Sequence, residues 1–205
     1  VLGVVGIDLS LRGTAICYLY GCAGDPKIHT ERFPQPKVSG VEASIKRLIS
    51  VTEELVGFVK AQNPDHLIIE AAAKNQQWQA AAMGEIHGVV KVQLYLATGI
   101  VPLVKEATQM RKHVIGKIER KNETVKNKKG KDSNRVSYGQ VLGASGKMRR
   151  ASVKDVIEIR LRERGLSFPS HDEMDAYVAA KFCWDSVLGL PGCDADEKKN
   201  KRKRT

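Results

Sequence analysis

Four carboxylates stand where acidic groups need a reason. Asp8 closes the apolar run Val4-Val5-Gly6-Ile7, and Glu70 closes Leu67-Ile68-Ile69. Asp172 and Asp175 lie three apart where an amphipathic pattern begins. A charge at the end of a buried strand is costly without compensation. Two acids at i, i+3 share a helix face, and in a first turn the helix dipole favours their charge. If the strands ending at Asp8 and Glu70 are neighbours, those carboxylates sit side by side at one sheet edge. Four such groups together repel one another unless cations neutralise them. An all-oxygen set suits Mg²⁺ or Mn²⁺. Two ions about 4 Å apart can flank a phosphodiester, one activating water and one stabilising the leaving oxygen. Each acid alone could be an ordinary surface group; the order and spacing of all four is the signal.

The charge balance suggests what such a site would act on. The 205 residues carry 34 Lys and Arg against 23 Asp and Glu, a net charge of +11. An excess of this sign favours a polyanionic partner. It is concentrated in two places. Residues 117–135 hold eight basic and three acidic side chains, and residues 198–205 hold six basic ones. Both have few apolar groups and self-repelling charge, so both are expected to be disordered when free. No run approaches the roughly 20 apolar residues of a membrane span. Cys17, Cys22, Cys183 and Cys193 show no CxxC spacing, so free thiols in a reducing cytoplasm are expected and zinc is not. The opening VLGVVGI reads as a strand, too short and unflanked for a signal peptide. The chain starts at Val1, which leaves room for a removed upstream targeting segment.

Elements that could position the acids follow from periodicity. Val1–Asp8 reads as a central strand, followed across turn-like segments by strands at Ala15–Tyr20 and Ile28–Phe33. These form an expected antiparallel meander. Ile45, Leu48, Ile49, Thr52, Leu55, Val56 and Val59 give a helix over residues 42–61, stopped at Asn63-Pro64. Leu67–Glu70 is a buried strand, 78–97 a helix, Ile100–Val104 a fifth strand and 107–115 another helix. Gly84 and Gly88 suggest close backbone approach on the 78–97 helix, either to the sheet or across a dimer seam. Residues 117–147 have no usable period and read as a long basic loop. A helix over 149–164 turns Val153, Val156, Ile157 and Leu161 inward, with Arg149, Arg150, Lys154, Arg160, Arg162 and Arg164 outward. Ser170-x-x-Glu173 resembles a capping box opening a last helix. The expectation is an α/β domain over 1–190, a mixed sheet of a three-strand meander plus parallel strands flanked by helices. A basic disordered tail occupies 191–205.

Asp8 in GIDLSLRGTA, Glu70 after LII, and Asp172-x-x-Asp175-Ala176 resemble the RuvC-type Holliday junction resolvases of the RNase H-like superfamily. MGEIHGVV (83–90), KEATQMRKHVIGK (105–117) and the helix 151–164 extend the resemblance over roughly residues 3–185. It implies that Asp8, Glu70, Asp172 and Asp175 are catalytic and bind two Mg²⁺ per site, with Mn²⁺ substituting. It implies a homodimer nicking branched DNA, without a membrane, in the cytoplasm of a bacterium or phage-infected cell. Arg111 and Arg150 stand where the family places basic residues near the scissile phosphate. Lys74, Lys112, Lys147 and Arg149 complete the basic positions expected at the DNA. The family commonly carries a stacking aromatic three residues after the catalytic Glu, where this chain has Ala73. The stretch 117–147 is also longer and more basic than in the bacterial enzymes. Both departures point to a divergent, phage-type member.

Two other classes fit parts of the sequence. An RNase H-like nuclease or phosphotransferase of other substrate, sugar-kinase or actin-like, would need glycine-rich phosphate loops. Leu9–Thr14 is a poor version, and no second copy is evident. A non-catalytic nucleic-acid-binding subunit would be favoured by loss of one acid, and all four are present. His171 beside the acids reads either as an assistant or as a turn residue. His87 reads as structural, Trp78 as a helix-start aromatic that could stack on a base, and Gln76 and Gln77 as possible DNA-lining groups.

Overall fold

The computed structural model describes residues 1–11, 13–35, 39–72, 80–118, 121–126, 132–142 and 147–192. Ala73, Lys74, Gln76, Gln77, Trp78, Cys193 and the basic end 198–205 lie outside the described residues.

The main sheet has five strands. β1 (Leu2–Asp8), β2 (Gly13–Cys22) and β3 (Asp25–Pro34) form the antiparallel meander. α1 (Val41–Gln62) then crosses to β4 (His66–Glu70), which pairs parallel with β1. α2 (Ala80–Thr98) leads to β5 (Leu103–Lys105), parallel to β4. The strand order is β3-β2-β1-β4-β5, the expected mixed sheet. α3 (Ala107–Ile115), α4 (Val153–Arg162) and α5 (His171–Val187) complete the domain. Asn63 caps α1 in the left-handed region at φ 45°, its N–H on the Val59 carbonyl, and Pro64 follows.

Strand alternation divides the core in two. Val5, Ile7 and Leu9 face one side with Leu67 and Ile69, against Val51, Leu55 and Val59 of α1 and Ile86, Val90 and Leu94 of α2. Val4 and Ile68 face the other side, against Met110 of α3, Ile157 of α4 and Met174, Ala176 and Trp184 of α5. Gly6 belongs to this second face. A Cβ there would stand 2.3 Å from the Ala180 nitrogen and 2.4 Å from the Ala176 carbonyl oxygen. Only glycine lets α5 lie this close to β1.

Several expectations change. Ile45 and Ile49 are half exposed, because α1 presents a wider apolar stripe than its contact with the sheet covers. Gly84 and Gly88 face open space, so they do not serve packing against the sheet. The stretch 117–147 is not simply a loop. β6 (Lys121–Lys126) pairs with β7 (Asp132–Ser137), and β8 (Gln140–Leu142) pairs with β9 (Met148–Arg150), each a separate antiparallel hairpin. Arg149 and Arg150 therefore belong to β9. α4 begins after the Ser152 cap, which forms a capping box with Asp155.

Candidate active site

The same alternation that builds the second core face sets two of the acids. Positions 4, 6 and 8 of β1 share a face, and so do 68 and 70 of β4. Ile7 pairs with Ile69 in the parallel ladder, so Asp8 and Glu70 end adjacent strands at one level. Both lie on the side that α5 covers. The close seat of Ala176 on Gly6 brings the first turns of α5 over these strand ends. Asp172 and Asp175 come with it, in a helix whose N-cap Ser170 accepts the Glu173 N–H. Glu173 turns away, accepting hydrogen bonds from Thr30 and Ser170.

The four acids meet three cations. Arg111 of α3 donates to Asp175 Oδ1 at 2.9 Å and lies 3.8 Å from Glu70 Oε2. Lys154 of α4 lies 2.7 Å from Asp175 Oδ2 and 3.9 Å from Asp172 Oδ1. Arg32 of β3 holds Asp172 Oδ2 at 2.9 Å. Asp175 is the most enclosed, its side chain 2% exposed. These cations do not balance the strand-end acids. Burial, against the opposing pull of Arg111, pushes the Glu70 carboxyl up to about 7. Burial, and then repulsion from Glu70 and Asp175, lifts Asp8 well above the carboxylate range. Burial works against the charge on Lys154, yet Asp175 raises its pKa above the ordinary lysine value.

A divalent cation fits this donor set. The ligands are oxygens alone, as Mg²⁺ and Mn²⁺ prefer. The burial and carboxylate repulsion that raise Asp8 and Glu70 are what a cation would offset. Among the described residues, a different group has its ligand atoms all within 4.8 Å of one another: Asp155, Glu158 and His171. That group is already engaged. Arg149 grips Asp155 at 2.6 and 2.8 Å, Ser152 donates to it twice, and Arg162 holds Glu158 at 2.7 Å.

Of the basic positions expected at DNA, Arg111 lies inside the carboxylate cluster. Arg149 is spent on Asp155. Lys112, Lys147 and Arg150 are exposed. His171 faces Glu158 at 3.3 Å. His87 is buried in α2.

Lys154 and Arg160 are half-buried where the pattern suggests solvent, and Arg164 is exposed but also bonded to backbone. Arg160 donates to the carbonyls of Ile115 and Lys117, and Arg164 to that of Val114, so both clamp α3. Lys154 enters the acidic cluster. Its spacing carries the signal: residues 154, 157 and 161 fall at i, i+3 and i+7, on the face that Ile157 and Leu161 bury. Arg32 has no comparable signal, because its contact depends on where β3 passes α5.

No protein-family model matches the chain, and no curated protein sequence matches it. Solved structures do. Thermus thermophilus RuvC superposes with a TM-score of 0.61 at 16% identity, covering 93% of this chain and 99% of that one. The same protein in complex with a Holliday junction substrate gives 0.62 at 14% identity, covering 94% and 99%. The chain has the RuvC-like RNase H fold. Fowlpox virus resolvase with its junction DNA is more distant, with a TM-score of 0.49 at 12% identity over 91% and 99%.

Proposed function

We propose that this protein is a metal-dependent endonuclease that nicks Holliday junctions or other branched DNA. One observation carries the reading: a cluster of four carboxylates, Asp175 buried and the other three partly buried, at the ends of two parallel strands and the start of α5. The RuvC-like fold supports it, since RuvC has been solved with a Holliday junction substrate. The net charge of +11 supplies the affinity for phosphate.

Asp8, Glu70, Asp172 and Asp175 would hold two Mg²⁺, with Mn²⁺ able to substitute. Ions there would supply an activated water and charge stabilisation of the leaving 3′ oxygen. The rest falls to the chain's own residues. Arg111 fixes Asp175 and Glu70 relative to each other, so both carboxylates are oriented before substrate arrives. Arg32 steadies Asp172 from the far side. Lys147 and Arg150, exposed beside the domain, and Lys112 on α3 would meet backbone phosphates, as would Lys74.

Paired nicks across a junction need two such sites, which a C₂ dimer provides. α2 offers a seam. Val92, Tyr95 and Leu96 are 56%, 50% and 69% exposed, and Gly84 and Gly88 leave room for a second backbone. No described helix is long and apolar enough to cross a membrane. Action in the cytoplasm of a bacterial or phage-infected cell belongs to the same proposal.

The decisive test is cleavage of a synthetic four-way junction beside plain duplex, with Mg²⁺, by wild type and Asp8→Asn. Wild type should nick the junction, and Asp8→Asn should bind it without nicking. Equal nicking by both would reject the site. Tight binding with no nicking by wild type would identify a binding subunit instead.

A further inference from the structure

Lys154 holds oxygens that a divalent ion would need. Its ammonium reaches both α5 carboxylates, Asp175 at 2.7 Å and Asp172 at 3.9 Å. The second oxygen of Asp175 is taken by Arg111. An ion coordinated by the α5 pair must therefore draw at least one oxygen away from a cation already present. The two cations are not equally replaceable. Arg111 is 19% exposed and spans Asp175 and Glu70 from within the cluster. Lys154 is 37% exposed and stands in the first turn of α4. Its ammonium is a point charge on a flexible stem that can swing to water, where a guanidinium fork holds its geometry.

We propose that Lys154 is a resident cation that competes with one divalent ion for the Asp172–Asp175 edge of the site. The Asp8–Glu70 edge feels Lys154 only through space, because the ion pairs of Lys154 are with Asp175 and Asp172. Before metal arrives, Lys154 keeps the α5 acids in place; once metal arrives, it must yield. The two ions then differ in affinity because of a side chain that is not a ligand. This rests on the carboxylate quartet being a divalent-metal site, as proposed above.

The test is Mn²⁺ binding to the full chain, followed by the EPR signal of the free ion. Wild type should show one tighter and one weaker ion. Lys154→Met should tighten the weaker ion about tenfold and the tighter one distinctly less; equal tightening of both would overturn the assignment to one edge. Lys154→Arg, which keeps the charge, should leave the weaker ion weak. Melting in EDTA and in saturating Mn²⁺ gives a second readout. Lys154→Met should melt lower than wild type in EDTA and gain more from Mn²⁺. If it fails to fold in EDTA, Lys154→Gln is titrated against the same criterion.

Two equally tight ions in wild type would overturn the proposal. So would Lys154→Met with both ions unchanged or weakened. Asp8→Asn separates this from failure of the underlying reading. If Asp8→Asn keeps both ions and still nicks, the site itself is wrong. If it loses an ion and stops nicking while Lys154→Met binds as wild type does, only the competition is refuted.

Discussion

Gly6 of β1 lies so close beneath Ala176 of α5 that a Cβ would stand 2.4 Å from the Ala176 carbonyl oxygen. Ala176 adjoins Asp175, so the clearance at Gly6 sets the height of that acid above Asp8. Gly6→Ala should meet backbone on two sides, with no flexible side chain to yield. Overpacking of this kind costs typically about 1–3 kcal/mol. Urea unfolding should show a lower midpoint, and junction nicking should fall even where the variant is fully folded. A wild-type midpoint and rate would mean that α5 can shift without consequence.

Metal choice follows from the oxygen ligands. Mg²⁺ and Mn²⁺ should both support nicking. Ca²⁺ should support junction binding alone, because its larger and looser coordination does not keep a tight two-ion geometry. Glu70→Gln and Asp175→Asn should bind junctions and fail to nick in any of the three. Full nicking in excess EDTA would reject the metal mechanism.

Asp155 gives the fold an acid-sensitive joint. Hydrogen bonds from Arg149 first, and then from Ser152, hold its carboxyl well below the usual range. A carboxyl depressed in the folded state contributes stability above its unfolded pKa of about 4 and loses it as pH falls. Asp155→Asn should therefore destabilise by about 1–2 kcal/mol at neutral pH. The gap to wild type should shrink as pH drops toward about 2. A gap that stays constant from neutral to acid pH would show that charge at Asp155 is irrelevant.

Among the described residues β6 and β7 form a two-stranded sheet of their own, so removal of the hairpin should spare the main sheet. Deleting 120–135 should weaken binding to all DNA shapes together. Each lost phosphate contact should reduce the salt slope by about 0.9. Deleting 198–205 should act the same way. Loss confined to branched DNA would mean the segment senses shape.

Tyr95→Glu with Leu96→Glu should split a dimer seamed on α2, since both side chains are at least half exposed in the single chain. Light scattering at micromolar concentration should move from two chains to one, with paired nicking lost. A monomeric wild type that still makes paired nicks would end the seam assignment.

Much of this architecture was legible in the sequence because burial imposes a period. The apolar run of β1 and the 3.6-residue stripe of α1 exist to cover a core; β1 stands where its run predicts, and α1 buries Thr52, Leu55 and Val59 of its stripe while Ile45 and Ile49 stay half exposed. Asp8 and Glu70 stood out because they break apolar runs. KNETVK and DSNRVS did not read as strands because neither has apolar alternation. The cations of the site were harder. Arg32 and Lys154 reach the acids only through the packing of distant elements, and a charge on a helix surface looks solvated until its neighbour is known.

The placement of α5 has a consequence for synthesis. Its Met174, Ala176, Val178, Ala179, Ala180 and Trp184 supply much of one core face, yet they are made after every strand of the main sheet. Domains begin to organise as they leave the ribosome, N-terminal parts first. A nascent chain stopped before residue 171 would carry a sheet with one apolar side only partly covered, by α3 and α4, and half a carboxylate set. Such a fragment has no closed core and no complete acidic centre. Closure by α5 supplies both at once, so a chain released early would expose apolar surface and lack the acids of α5 together.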